Sequence, residues 1–252
     1  MAAAPGDKLR LDELLVQRGL FASRSRARDA IARGSVLVGG KPATKAGQST
    51  PLKADIAVSD PARDYVSRAA LKLIAGLDAF GLDPAGSTAL DIGASTGGFT
   101  QVLLERGVSH VYAVDVGHGQ LDGSLLKDPR VTSLERLNAR DLSRQHLDDA
   151  DVNFVVSDVS FISLKLALPP ALALAAEGSR CVLLVKPQFE AGREAIGKGG
   201  LLRDPAMGER IASELQEWLD GQPGWRALGH VPSPIEGGDG NREFLLAGVK
   251  DR

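Results

Sequence analysis

From residue 89 onward, apolar runs stop repeatedly at a polar residue. Ala89 and Leu90 lead into Asp91, residues 111–114 into Asp115, residues 152–156 into Ser157 and Asp158, and residues 180–185 into Lys186. A shorter run lies at 131–134. The intervals between them carry apolar residues at helical spacing: Phe99, Val102 and Leu103, then the stretches 163–176 and 207–219. Such alternation predicts parallel strands buried on both faces by helices. Residues 225–231 and 242–249 predict a hairpin-like end to the sheet, while the glycine- and charge-rich stretch 190–205 reads as a loop. The expected fold class is α/β, a Rossmann-like sheet with helices on both faces.

The first sixty residues follow another rhythm. Leu11, Leu14, Leu15 and Val16 form one apolar stripe over 9–19, with Gly19 as a helix stop. Ser23 suits the N-cap of a second helix over 24–33, with Ala27, Ala30 and Ile31 inward. Short strands follow at 36–38 and 56–58. This predicts a small α+β domain over 1–59, a linker over 60–66 in which Pro61 blocks a strand, and a larger domain over 67–252. In the larger domain, Ser67 is the expected cap of a helix over 68–80, with Lys72 beside its apolar stripe.

Charge sharpens the division. The whole chain carries a net charge of −2, which alone argues neither for nor against a polyanionic partner. Residues 8–53, however, hold ten Lys or Arg against three acids, so the rest is acidic. The asymmetry directs the N-terminal part toward a polyanion. A single cysteine, Cys181, excludes an internal disulfide and most cysteine metal sites, and no metal site is expected. No apolar stretch is long enough to span a bilayer, and the first residues lack the pattern of a secretory signal, so a cytoplasmic protein without membrane contact is expected.

The candidate chemistry begins at the first strand end, Asp91-Ile-Gly93-Ala94-Ser95-Thr96-Gly97-Gly98-Phe99. A strand, a glycine turn and a helix in that order form a nucleotide-type cofactor site. Asp115 closes the next strand, where the acid that holds ribose hydroxyls belongs. No Lys-Ser/Thr follows the glycines, so the turn is not a phosphate-cradling loop. An acid just before the first glycine suits a cofactor with a cationic or amino end, which points to S-adenosylmethionine (SAM). Val116, Gln120, Leu121, Asn138, Ala139 and Asp158, which follow successive strands, complete the expected cofactor face. A glycine-rich turn that binds nothing is the plainer alternative.

The N-terminal run Arg10-Leu-Asp12, Gly19-Leu, Ser23-Arg24-Ser-Arg26-Ala-Arg28 and Ile31 to Lys41 resembles the S4 RNA-binding domain. The resemblance implies an RNA-gripping face built on Arg10, Arg18, Ser23, Arg24, Arg26, Arg28, Arg33 and Lys41, acting through phosphates. A merely solvated basic helix is the alternative. From Asp91 to Glu243 the chain resembles SAM-dependent methyltransferases of the FtsJ type, which methylate ribose 2′-hydroxyls with a Lys-Asp-Lys-Glu tetrad. The matching residues are Lys72, Asp158 in Ser-Asp-Val-Ser-Phe, Lys186 in Leu-Val-Lys-Pro-Gln-Phe, and Glu243 in Asn-Arg-Glu-Phe. An S4 domain ahead of such a domain resembles the TlyA family of ribosomal RNA 2′-O-methyltransferases, some of which carry the name haemolysin. The resemblance implies cytidine methylation in 16S or 23S rRNA, with ribosomal RNA or ribosomal subunits as partner. Tyr65 in Arg63-Asp-Tyr-Val departs from the tryptophan frequent in that linker.

A ribose hydroxyl is a poor nucleophile, and a lysine can take its proton only from the neutral amine. Burial and a second ammonium favour that form. Lys186 is the expected acceptor, with Lys72 as the neighbouring cation and Asp158 and Glu243 orienting the pair. Two ordinary salt bridges would be the structural alternative. A pseudouridine synthase is excluded, because the only Arg-Leu-Asp lies inside the first helix of the S4-like region. A non-catalytic RNA binder of ribosome assembly and an indirectly acting haemolysin are the competing classes.

Overall fold

The computed structural model describes residues 8–251. The expectation drawn from the first residues, 1–7, falls outside the described residues. The described residues fall into two compact units that divide between Asp64 and Tyr65.

The first unit runs β1 (Lys8–Arg10), α1 (Leu11–Gln17), α2 (Arg24–Ala32), β2 (Val36–Val38), β3 (Lys41–Pro42), β4 (Ser49–Pro51) and β5 (Ile56–Val58). Leu11, Leu15, Ala27, Ala30, Ile31 and Val36 bury its core. The Ser23 hydroxyl accepts from the amide of Arg26 and caps α2 as expected. The expected helix from Leu9 begins two residues later. Leu9 is opposite Thr50 in an antiparallel pair, so strand pairing wins over the helical pattern there.

The second unit contains α3 (Ala70–Phe80), β6 (Thr88–Ile92), α4 (Gly98–Glu105), β7 (His110–Asp115), β8 (Val131–Glu135) and β9 (Val152–Ser157). It continues with α5 (Leu164–Ala167), α6 (Pro169–Leu174), β10 (Ala175–Val185), α7 (Pro187–Glu190), α8 (Met207–Asp220), β11 (Trp225–Pro232) and β12 (Phe244–Lys250). Seven strands make one sheet in the order β11-β12-β10-β9-β6-β7-β8. The strands from β10 to β8 are parallel, and β12 runs antiparallel between β10 and β11. Alternate residues serve opposite cores. Leu183 and Val185 join Leu90, Ile92 and Leu246 on one face, while Val182 and Leu184 join Ala89, Val156 and Leu245 on the other.

Two predicted elements differ. The helix expected over 163–176 is two short helices, because Pro169 lacks the amide needed to continue α5. Its alanine-rich end leaves the helix altogether: Ala175 pairs with Val152, and the strand captures residues of good helix propensity. Ser67 lies ahead of α3 and accepts from the amide of Ala69, so the helix starts at Ala70 rather than at residue 68. Among the described residues, no helix is long and apolar enough to cross a membrane.

Candidate functional site

The sheet reverses its strand order between β6 and β9, which is where ligands bind in open α/β sheets. A cavity of about 550 Å³ opens there, lined by Gly93, Ser95, Asp115, Val116, Gln120, Asn138, Ala139 and Asp158. A smaller recess of about 80 Å³ continues along Ala94, Ser95, Thr96, Gly98 and Phe99 toward Asp158. Asp115 is fixed by two backbone donors: Ser95 N–H to Oδ2 at 2.8 Å and Gly117 N–H to Oδ1 at 2.7 Å. The donor set fits SAM. A partly exposed carboxylate faces a groove that Val116, Leu137 and Ile162 line with apolar surface and Gln120 and Asn138 with polar groups. Asp115 and Gln120 would hold ribose hydroxyls, and Asn138 and Ala139 the adenine side.

Three expected cofactor residues stand elsewhere. Asp91 is fully buried behind the turn, where its Oδ2 accepts from the Thr100 hydroxyl at 2.6 Å. Burial pushes its carboxyl up to about 7 despite the Thr100 bond, and Asp158 adds to the rise. Leu121 is buried against the glycine turn. At Gly97 a Cβ would meet Leu125 Cδ1 at 2.2 Å and Leu121 Cδ1 at 2.8 Å, so this glycine makes room for protein rather than ligand. Gly93 likewise faces the Val159 backbone at 3.0 Å.

The tetrad is brought together as two ion pairs. Lys72, on α3, pairs with Glu243 just ahead of β12, and both are buried. Lys186 Nζ, at the end of β10, lies 2.6 Å from Asp158 Oδ1 at the end of the neighbouring β9. It also donates to the Ser160 hydroxyl at 2.7 Å. Burial raises the Glu243 carboxyl, and the charges of Lys72 and Lys186 oppose the rise. Glu243 therefore feels both lysines, and the two pairs form one electrostatic unit.

Several site residues escaped the sequence pattern. Leu137, Val159, Ser160, Phe161 and Ile162 line the cavity. Phe161 is 90% exposed at φ +65 and packs against Phe189 with ring centroids 5.1 Å apart. The strand end at Asp158 was the available signal, since the loop beyond a strand end builds the crevice.

In the first unit, the arginines are not free charges. Arg10, Arg24 and Arg28 all donate to the buried carboxylate of Asp12. Arg26 donates to the carbonyls of Ala62 and Arg63, Arg33 to Asp60, and Arg18 to the Leu52 carbonyl. Ser23 is spent as a cap, while Lys41 is exposed on β3. The guanidiniums of Arg10, Arg24 and Arg28 remain about half exposed around Asp12, which makes them a fixed cationic cluster.

The chain matches FtsJ-like methyltransferases over residues 65–250 and the S4 domain over residues 9–49. It is 45% identical over 247 residues to the 16S/23S rRNA (cytidine-2′-O)-methyltransferase TlyA of Mycobacterium tuberculosis, covering 95% of this chain and 89% of that one. It is 40% identical to Hemolysin A of Brachyspira hyodysenteriae, over 94% of this chain and 98% of that one. A solved structure from Streptococcus thermophilus, named a hemolysin, superposes with a TM-score of 0.75 at 39% identity, covering 97% of this chain and 89% of that one. The S4 and methyltransferase matches together with this likeness run along nearly the whole length, and the chain belongs to the TlyA family of FtsJ-like methyltransferases.

Proposed function

We propose that the protein transfers a methyl group from SAM to the 2′-hydroxyl of a cytidine in ribosomal RNA. The observation that carries the reading is Asp158, which lines the cofactor cavity and also holds Lys186 at 2.6 Å. One residue thus joins the cofactor site to the group that meets the acceptor. When bound, the cofactor supplies a methyl already activated on a sulfonium. Lys186, in its neutral form, accepts the proton of the 2′-hydroxyl as that oxygen bonds the methyl carbon. Asp158 fixes the direction of the amine, and Lys72 and Glu243 set the charge behind it. Most of the acceleration then comes from in-line positioning of the oxygen.

The exposed guanidiniums around Asp12 and the exposed Lys41 support RNA as the partner of the first unit. Contacts of this type hold phosphates and carry little sequence information. The test is to map 2′-O-methyl cytidines in 16S and 23S rRNA from cells with and without the protein. Identical maps, with no methyl transfer by the purified chain to either subunit, refute it. SAM affinity by calorimetry separates a catalyst from a pure RNA binder.

A further inference from the structure

Asp158 and Lys186 sit at the ends of adjacent parallel strands, and beyond these ends the chain leaves in two different loops. Nothing in the strand ladder fixes those loops. What joins them is α7, the single helical turn that begins directly after Lys186. Glu190 on α7 uses both carboxylate oxygens on the other loop. The Ser163 hydroxyl donates to Oε2 at 2.6 Å, and the Leu164 amide donates to Oε1 at 2.7 Å. Phe189, next to Glu190, packs on Phe161 of the same loop. On its other side α7 holds the segment that precedes Glu243: Gln188 Nε2 donates to Asp239 Oδ2 at 3.1 Å.

We propose that Glu190 is a positioning residue for methyl transfer: its bidentate grip on Ser163 and Leu164 holds the loop after Asp158 in register with Lys186. The proposal rests on the methyltransferase reading above. Between Asp158 and Ser163 this loop carries Ser160, which accepts from Lys186, and Ile162, which lines the cofactor cavity. A carboxylate that accepts one hydrogen bond on each oxygen defines an orientation as well as a distance. Without it, the loop keeps the Phe161–Phe189 contact and the bond from Lys186 to Ser160, and Phe161 is held at a positive φ that a loosened loop would relax. The error reaches Lys186 through Asp158 and Ser160, so the loss belongs in turnover, not in cofactor capture.

The experiment uses the full chain with ribosomal RNA and SAM. Glu190→Ala should lower kcat by about 10-fold, a size that small misplacement of reacting groups produces. SAM affinity should stay within about 3-fold and the melting temperature close to parental, because the bonds lie on a loop. Glu190→Gln keeps one carbonyl oxygen for the Leu164 amide and should recover most of kcat. Ser163→Ala removes the other half of the grip and should add little on top of Glu190→Ala, since the two act as a unit. Hydrogen exchange of residues 159–164 should quicken in Glu190→Ala. A parental kcat in Glu190→Ala overturns the proposal, and so does a loss that tracks an equal loss of SAM binding and stability. If the parent methylates no ribosomal RNA, the functional reading fails by itself, and unchanged exchange at 159–164 would sink the brace independently.

Discussion

The buried carboxylate of Asp12 accepts the Nε–H of Arg28 at 2.9 Å, tying the first helix of the N-terminal unit to its second. Burial alone would raise this carboxyl. Hydrogen bonds from Arg10, Arg28 and Arg24 overcome it and hold the group well below the ordinary range. A carboxyl lowered by folding stabilises the fold above its unfolded value and loses that contribution as the pH falls through the folded one. The N-terminal unit should therefore keep this link throughout the neutral range.

Asp12→Asn separates charge from arrangement. It removes a negative charge from the arginine cluster, so if this surface holds RNA, simple attraction expects tighter binding. If Asp12 instead fixes the arginines for phosphates, affinity should fall by about 3- to 10-fold through lost preorganisation. Fluorescence anisotropy with an rRNA fragment over a salt series measures it. Tighter binding by the variant would show that charge alone matters.

Lys186→Ala should cut single-turnover methyl transfer by about 10²-fold or more, the usual scale for a general base. SAM affinity should stay near parental, since the loss is confined to the transition state. Lys186→Arg keeps the charge and cannot shed its proton at accessible pH, so it should not rescue. Near-parental transfer by the arginine variant would assign Lys186 an electrostatic role only.

Gly97 and Gly119 both have positive φ, but only Gly97 is crowded, with Leu125 at 2.2 Å from an added Cβ. Gly97→Ala should cost ~3 kcal/mol from strain and overpacking together. Gly119→Ala, with nothing within 4 Å, should cost ~1 kcal/mol from strain alone. Urea unfolding compares them, and equal losses would mean that the packing under the turn is not tight. Gly93→Val is a poor probe of cofactor binding for the same reason, because the Val159 backbone is 3.0 Å from its Cβ. Asp115→Ala removes a partly exposed side chain and adds no atom that could clash, so it is the cleaner test.

Asp91 has the opposite sign to Asp12. Its carboxyl is raised to about 7, so the folded state holds a proton that the unfolded chain releases above pH ~4. Stability from this group is fully present below that pH and falls until the pH passes about 7. Asp91→Asn keeps an acceptor for the Thr100 hydroxyl and cannot ionise. It should be more stable than the parent at pH 8, by ~2 kcal/mol, and about equal at pH 4. Denaturant titrations at the two pH values decide it, with no difference at pH 8 as the failing result.

The periodic elements were legible in the sequence because burial on both faces leaves long apolar runs, as in β9 and β10. Asp158 and Lys186 were legible as strand ends, and all four tetrad residues as family motifs. What was not legible depends on the third dimension. Phe161 and Ser160 sit in a loop without periodicity, and Glu190 looked like one charge in a charged stretch. Asp12 looked like part of a helix face, while its three arginines are 2, 12 and 16 residues away along the chain. The glycines after Asp91 were assigned to ligand space from local sequence. Leu121 and Leu125, which crowd Gly97, come from a segment more than twenty residues on.

Lys72 and Glu243 are separated by 171 positions, and β12 is threaded between β10 and β11. The order of synthesis therefore sets the order in which the site can exist. Until the closing strand inserts, Lys72 has no carboxylate to meet, and an ammonium enclosed without its counter-charge is costly. Cofactor groove, glycine turn and Lys186 all precede that strand in the chain. A growing or cut-short polypeptide can thus contain nearly every functional residue and still lack a closed, charge-balanced centre.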